Sequence, residues 1–334
     1  RTVEDMAFKD VAGNVRIKRT LKLALERTRV PNSLLFCGPE GVGKKAMALT
    51  LAKALNCLNL TTDSCDACRS CEAIDKGVHP DVMVIAAEKQ EIKIEQTRFL
   101  KQMAYLRPMT GKKRVFIVVD AAEMSDAAAN SLLKVLEEPP LHSHLILVTA
   151  SPFLLFPTIL SRCQTLAFSA IGREEIEEIL LERNFGTEQA RILALLVDGN
   201  LERALDLEWE DVQSLKEESW ALFEALASGD RSALFLERFG TLAKAVQEEF
   251  GRTLEVFSSF VRDILLLRLG GDPQFLLNPD FEPRLREASA AWTVRRVLGV
   301  LEELDFVLTE LPKNLNKGLL ATTFFSNFGE LRHV

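Results

Sequence analysis

No apolar run in the sequence approaches the length of a membrane span, so no segment of it reads as a spanning helix. The opening residues, Arg1-Thr2-Val3-Glu4-Asp5, hold no apolar signal core, and the expected location is cytoplasmic. There is no excess of positive charge either. A net charge of -7 argues against a protein that coats nucleic acid by global electrostatics. Any DNA contact is therefore expected to be local or to belong to a partner. Internal repeats and low-complexity tracts are absent. What remains is a chain of 334 residues, 47% hydrophobic and 27% charged, which fits a soluble globular protein with room for two or three domains.

Two smaller absences say more. Gly38-Pro39-Glu40-Gly41-Val42-Gly43-Lys44 reads as a phosphate-binding loop. It follows the apolar run Ser33-Leu34-Leu35-Phe36-Cys37 and precedes a helix from Ala46 to Asn56. In that context backbone N–H groups surround phosphate oxygens, the helix N-terminus adds a favourable dipole, and Lys44 reaches the β and γ phosphates. The next residue should carry a hydroxyl for Mg²⁺ and is Lys45. Further on, Val115-Phe116-Ile117-Val118-Val119 leads into Asp120, a candidate Mg²⁺ holder, and the acid expected beside it is Ala121. Alanine cannot polarise water, and the direction of Glu123 depends on whether a turn follows. Gly38, Gly43, Lys44 and Asp120 are thus candidate nucleotide-binding residues. ATP with Mg²⁺ and a relic loop that only shapes the fold both remain open, while autonomous hydrolysis is not expected.

The remaining apolar runs, Asp81–Ile85, Leu145–Val148 and a weak Thr165–Phe168, complete five strands separated by helices, the mark of a parallel sheet covered on both faces. Ile94 to Leu106 is amphipathic. Ser125 caps a helix through Leu132, Leu133, Val135 and Leu136 that stops before Pro139. After about Ser169 the strand signal vanishes. Three short helices are expected at Arg173–Arg183, Glu188–Val197 and Leu201–Leu207, too small for an independent domain and placed as a lid. From about Asp211 the chain reads as an all-helical bundle, with Leu254, Phe257, Phe260, Val261 and Leu298, Leu301, Leu304, Leu308 as core or helix-partner stripes. The expected division is a core at 1–168, a lid at 169–210 and a helical domain at 211–334. Lys112-Lys113-Arg114 reads as a solvated loop, and Arg16, Lys18, Arg19 and Lys22 as an exposed helix face.

Four of the six cysteines fall at Cys57, Cys65, Cys68 and Cys71. In a reducing compartment such a cluster suggests metal rather than disulfides. Four thiolates suffice for a closed tetrahedral Zn²⁺ site, which has no open position for substrate and is therefore structural. An iron–sulfur cluster would want its fourth cysteine three residues after the third, which this spacing lacks. Four free thiols are the remaining alternative. Cys37 and Cys163 read as packing residues, and His79, His142, His144 and His333 show no ligand spacing relative to the cluster.

Ser161-Arg162-Cys163 places an arginine at the start of the last short strand. A guanidinium offered to a γ-phosphate stabilises the charge spread over its oxygens during transfer. Taken alone, a surface arginine is more often an ion-pair partner. The whole pattern, however, resembles the clamp-loader ATPases of the AAA+ superfamily. The resemblance is carried by the loop at 38–44, the cysteine cluster, Ile92-Lys93-Ile94-Glu95-Gln96, Asp120-Ala121-Ala122 and Asp126-Ala127-Ala128-Ala129-Asn130. It continues in Leu132-Leu133-Lys134-Val135-Leu136-Glu137-Glu138-Pro139-Pro140 and Ser161-Arg162-Cys163. It implies an AAA+ core with a Zn²⁺ module, a small helical lid and a C-terminal collar that joins a five-subunit ring with motor ATPase subunits and a delta subunit. That ring opens the sliding clamp and closes it around primed DNA. The resemblance also places on Arg162 the finger that acts in trans on ATP held by the adjacent motor subunit. Thr149 matches the polar sensor after the fourth strand, and Glu202 falls where the lid's sensing arginine belongs. Two alternatives are a motor subunit using Lys44, Asp120 and a displaced acid, and a purely structural ring member in which Arg162 is an interface salt bridge.

Overall fold

The computed structural model describes residues 7–88, 91–197, 199–228, 247–310 and 324. The expectations for Arg1–Asp5 and His333 lie outside them. The contacts divide the chain into two compact units, Arg1–Asn184 with Val197–Leu205, and Phe185–Leu196 with Asp206–Val334.

The first unit is built on the five strands read from the sequence: β1 (Ser33–Cys37), β2 (Val82–Ile85), β3 (Arg114–Val118), β4 (Ser143–Thr149) and β5 (Gln164–Ala167). Every pairing is parallel, in the order β2-β3-β4-β1-β5. The three inner strands are buried along their whole length, which is why they read as unbroken apolar runs rather than as alternation. This order and the glycine loop after β1 make the unit a parallel α/β core of the P-loop kind. All five strands point the same way, so the sheet has a carboxyl end, where the glycine loop sits, and an amino end.

Helices α1 (Val15–Glu26), α2 (Lys44–Asn56), α3 (Arg69–Asp75), α4 (Ile94–Ala104), α5 (Asp126–Glu137) and α6 (Pro157–Leu160) join or flank the strands. α5 starts at Ser125, whose hydroxyl accepts the Ala128 N–H at 3.3 Å. It ends at the Glu138-Pro139 step, because a residue before proline is pushed out of helical geometry; Glu138 has φ -125° and ψ 66°. α2 carries the chain from the glycine loop down to the amino end. There Asn56 Oδ1 accepts the Lys113 N–H, just before β3 begins. The three short helices follow as α7 (Arg173–Glu182), α8 (Thr187–Leu196) and α9 (Leu201–Asp206).

The second unit holds α8 and the long helices α10 (Trp209–Ser228), α11 (Gln247–Arg268), α12 (Glu282–Ala291) and α13 (Val294–Glu310). Leu254, Phe257, Phe260 and Val261 are fully buried, as their spacing predicts. Phe260 meets Trp220 edge-on with centroids 5.1 Å apart, and Trp292 stacks on Phe223 at 4.9 Å. In α13 Leu304 is fully buried and Leu301 and Leu308 pack against the core, as the expected stripe requires, but Leu298 is 44% exposed. The buried face is completed by Val297, Val300 and Val307. One residue turns a helix by about 100°, so Val297 takes the core position that Leu298 was expected to fill. No described helix is long and apolar enough to cross a membrane.

Candidate functional site: a phosphate loop and an arginine at opposite ends of one sheet

The loop between β1 and α2 has the backbone its glycines allow. Gly38, Gly41 and Gly43 all have positive φ. A Cβ on Gly38 would come within 2.3 Å of the Phe168 carbonyl oxygen, so no other residue fits there. A Cβ on Gly41 would overlap the Asn200 amide, 1.5 Å from its oxygen. The Gly41 carbonyl accepts the Leu201 N–H at 3.0 Å, at the start of α9. Lys44 is buried and turned back on its own loop. Its ammonium donates to the carbonyls of Gly38, at 2.7 Å, and Pro39. Burial lowers the Lys44 pKa, while Glu40, Glu202 and Asp120 pull the other way.

A cavity of about 800 Å³ opens beside the loop at the carboxyl end of the sheet. Its charged lining is Glu40, Asp120, Glu123 and Glu202 against Lys44 and Lys45, four carboxylates against two ammonium groups. Asp120 has φ 51° and heads the short 3₁₀ turn Ala121–Glu123. That turn settles the direction of Glu123, which borders the cavity, whereas Ala121 is fully buried in the core. Thr149 borders the cavity too, and its hydroxyl accepts the Ser151 N–H at 3.1 Å.

The cysteines converge. Cys57 caps the end of α2, Cys68 precedes α3 and Cys71 lies within it. The four sulfurs lie within 4.8 Å of one another. Tetrahedral coordination at a Zn–S length of about 2.3 Å needs sulfurs about 3.8 Å apart, so small side-chain adjustments close the cage. All four are free thiols. The Leu60 N–H reaches Cys57 Sγ and the Asn59 amide reaches Cys65 Sγ, each at 3.3 Å, contacts that stabilise thiolate charge. Burial raises the Cys68 thiol, but N–H groups of Cys71 and Leu58 and the neighbouring thiols outweigh it and hold it at about 6. The donor set therefore fits a closed site for a metal such as zinc. The module is fastened to α2 by Lys53, fully buried and paired with Asp66 at 2.8 Å and Asp75 at 2.9 Å. The sequence signal for this was a lone lysine inside Leu51-Ala52-Lys53-Ala54-Leu55.

Arg162 is not on the last strand. It lies in the turn between α6 and β5, because Pro157 starts a helical turn that runs to Leu160 and β5 begins only at Gln164. Gln164 stands opposite Leu34, so this turn is at the amino end of the sheet. The guanidinium is held by Glu137, at the end of α5, and by the Thr158 carbonyl. The sequence carried Glu137 within a longer motif without singling it out.

The basic run is also corrected. Arg114 is buried, 3.4 Å from Asp81, and donates to the Arg107 carbonyl. Lys112 and Lys113 donate to the carbonyls of Cys57 and Leu141. These carbonyls and one buried carboxylate use the charges that a solvated loop would leave to water. On α1, Arg16 and Arg19 are exposed as expected, while Lys22 pairs with Asp63 at 2.8 Å and Lys18 donates to the Val11 carbonyl.

The family model described as "DNA polymerase III, delta subunit" matches residues 13–172. The chain is 30% identical to DNA polymerase III subunit delta' of Bacillus subtilis over 294 residues, 86% of this chain and 88% of that protein. It is 35% identical to DNA polymerase III subunit tau of Salmonella typhimurium over 207 residues, 60% of this chain and 32% of that longer protein. Among solved structures it is similar to a DNA polymerase III gamma subunit-related protein of Thermotoga maritima. The TM-score is 0.47 at 19% identity, covering 94% of this chain and 99% of that one.

Proposed function

The chain belongs to the family of DNA polymerase III subunit delta' within the clamp-loader proteins, and from that premise we propose that it is a clamp-loader subunit that does not hydrolyse ATP itself and lends Arg162 to its neighbour. In this reading it is a component of the DNA polymerase III holoenzyme, cytoplasmic, and one of five subunits in a ring with motor ATPase subunits and delta. The ring loads the sliding clamp onto primer–template DNA. Residues 1–168 form the core, 169–210 the lid and 211–334 the collar through which the ring assembles. Cys57, Cys65, Cys68 and Cys71 hold a structural Zn²⁺, which supplies rigidity and no chemistry.

The observation that carries this is the separation of Arg162 from its own loop. β5 pairs with β1 from Leu34 to Cys37. At about 3.3 Å per residue, Arg162 before the strand and Gly38 beyond it are more than about 10 Å apart along the sheet. Arg162 is thus out of reach of the nucleotide its own loop would bind, which supports a neighbour's triphosphate as its target. There its guanidinium neutralises charge on the γ-phosphate oxygens as the bond to the leaving group breaks. The loop end is depleted to match. Lys45 replaces the hydroxyl that holds Mg²⁺, Ala121 is no base, and Glu202 sets a carboxylate where an anionic substrate would sit.

The similarity to tau favours a second reading, a motor subunit using Lys44, Asp120 and Glu123. The same substitutions at 45 and 121 weigh against it. The test is Arg162→Ala in the reconstituted loader. Turnover at the site it serves should fall by about 10³ or more. Unchanged turnover refutes the trans role. Weaker subunit association with normal turnover in the assembled ring would make Arg162 an interface salt bridge.

A further inference from the structure

All three nitrogens of the Arg162 guanidinium have partners within the chain. Nε and Nη2 donate to the same oxygen of Glu137, Oε2, at 3.3 and 3.1 Å. Nη1 donates to the Thr158 carbonyl at 3.0 Å and approaches the Ser161 hydroxyl at 3.5 Å. A guanidinium has five N–H donors in a fixed plane. Glu137 takes the Nε edge, so the N–H of Nη2 that points the other way is left for an oxygen beyond the side chain. Both backbones are pinned as well. Glu137 is the last residue of α5 and is followed by Glu138-Pro139-Pro140, which fixes where that helix stops. The Arg162 N–H is held by the Ile159 carbonyl at 3.0 Å.

Stability gives little reason for this pair. Glu137 is 60% exposed and Arg162 30%, and exposed ion pairs contribute little to folding.

We propose that Glu137 is a positioning residue for the trans-acting arginine: its carboxylate clamps the Nε edge of Arg162 and turns the remaining Nη2 N–H toward the neighbouring subunit's phosphate. This rests on Arg162 acting in trans. Glu137 itself touches no reacting atom. Its effect should appear in the rate of the chemical step rather than in ATP affinity, because that donor matters most once charge develops on the phosphate oxygens.

The test uses the full-length chain in the reconstituted loader, with DNA-stimulated ATP turnover measured per assembled complex. Glu137→Ala should lower kcat about tenfold with KM for ATP within about twofold, the pattern of a lost transition-state contact. Glu137→Gln keeps an acceptor of the same shape and should restore kcat to within about threefold of the parent, since hydrogen bonding survives while charge is lost. In an Arg162→Ala background, Glu137→Ala should add nothing, because residues that act as one unit are non-additive. If Arg162→Ala slows turnover while Glu137→Ala leaves it unchanged or raises it, the positioning role is overturned and the arginine's role stands. Additive losses in the double variant overturn it as well. If Arg162→Ala has no effect, the reading beneath it fails and the positioning role with it.

Discussion

The carboxyl and amino ends of the sheet have been treated differently. At the carboxyl end the glycine loop keeps the backbone of a phosphate site, with three glycines at positive φ and Lys44 at the head of α2. Its side chains are another matter: the lysine donates to its own loop carbonyls, and four carboxylates against two lysines line the cavity. At the amino end the reverse holds. Arg162, Asp81, Lys53 and the cysteines each have assigned partners, and the side chains there are fixed by contacts between residues far apart in sequence. The glycine turn joins strand to helix whatever side chains surround it, so its backbone is set independently of any catalytic group. In the proposed reading the charge that matters to a partner is the one positioned at the amino end.

The comparison breaks most visibly at the cysteines. Cys71→Ser should take bound zinc from about one per chain to near zero. It should also lower the thermal midpoint of the chain, since ligation in small zinc modules contributes roughly 10–16 kcal/mol and an appreciable part of that should be lost here. Metal analysis and calorimetry check it; a full complement of zinc in the variant would remove the metal from the account of the amino end.

What the sequence revealed follows the same divide. The glycine loop, the five strands, the Ser125 cap and the cysteine spacing were legible because each is set by residues close together in the chain. Arg162 was expected at the start of the last strand and lies two residues before it, because Pro157 opens α6 and β5 begins only at Gln164. The basic run was misread because its partners, Asp81, Cys57 and Leu141, are distant in sequence. Glu137 could not be matched to Arg162, 25 residues away, without the crossover that brings the end of α5 beside the turn. In α13 the stripe held except at Leu298, since valine and leucine are both apolar and only packing distinguishes Val297 from Leu298.

A second way to sharpen the contrast is pH. His144, the second residue of β4, is 3% exposed, and burial pushes it from its ordinary value near 6.5 down to about 4. The folded value lies below the unfolded one, so protonation favours unfolding. The stability this neutral imidazole carries is intact above pH 6.5 and is lost as pH falls toward 4, by about 3 kcal/mol in all. Denaturant titrations across that window should show the loss in the parent chain and a flatter profile in His144→Gln. An equal slope in both would place the acid-labile group elsewhere.

The smallest effect is expected at the carboxyl end. Glu202→Arg changes the cavity's charge by two and should raise affinity for an ATP analogue about tenfold, roughly 1.4 kcal/mol. Equilibrium fluorescence titration with Mg²⁺ present reads it directly. Tighter binding with no turnover agrees with a loop that has kept its shape and lost its reactive groups; unaltered binding would show that Glu202 is not what repels the phosphates.

The most direct measurement of the central claim is phosphate release by the purified chain alone, with Lys44→Ala as the control. The expected result is no release above that control, because Lys45 stands where a metal-holding hydroxyl belongs and Ala121 where an acid belongs. Release at about 1 s⁻¹ or faster, a rate ordinary for enzymes, that disappears in Lys44→Ala would contradict it.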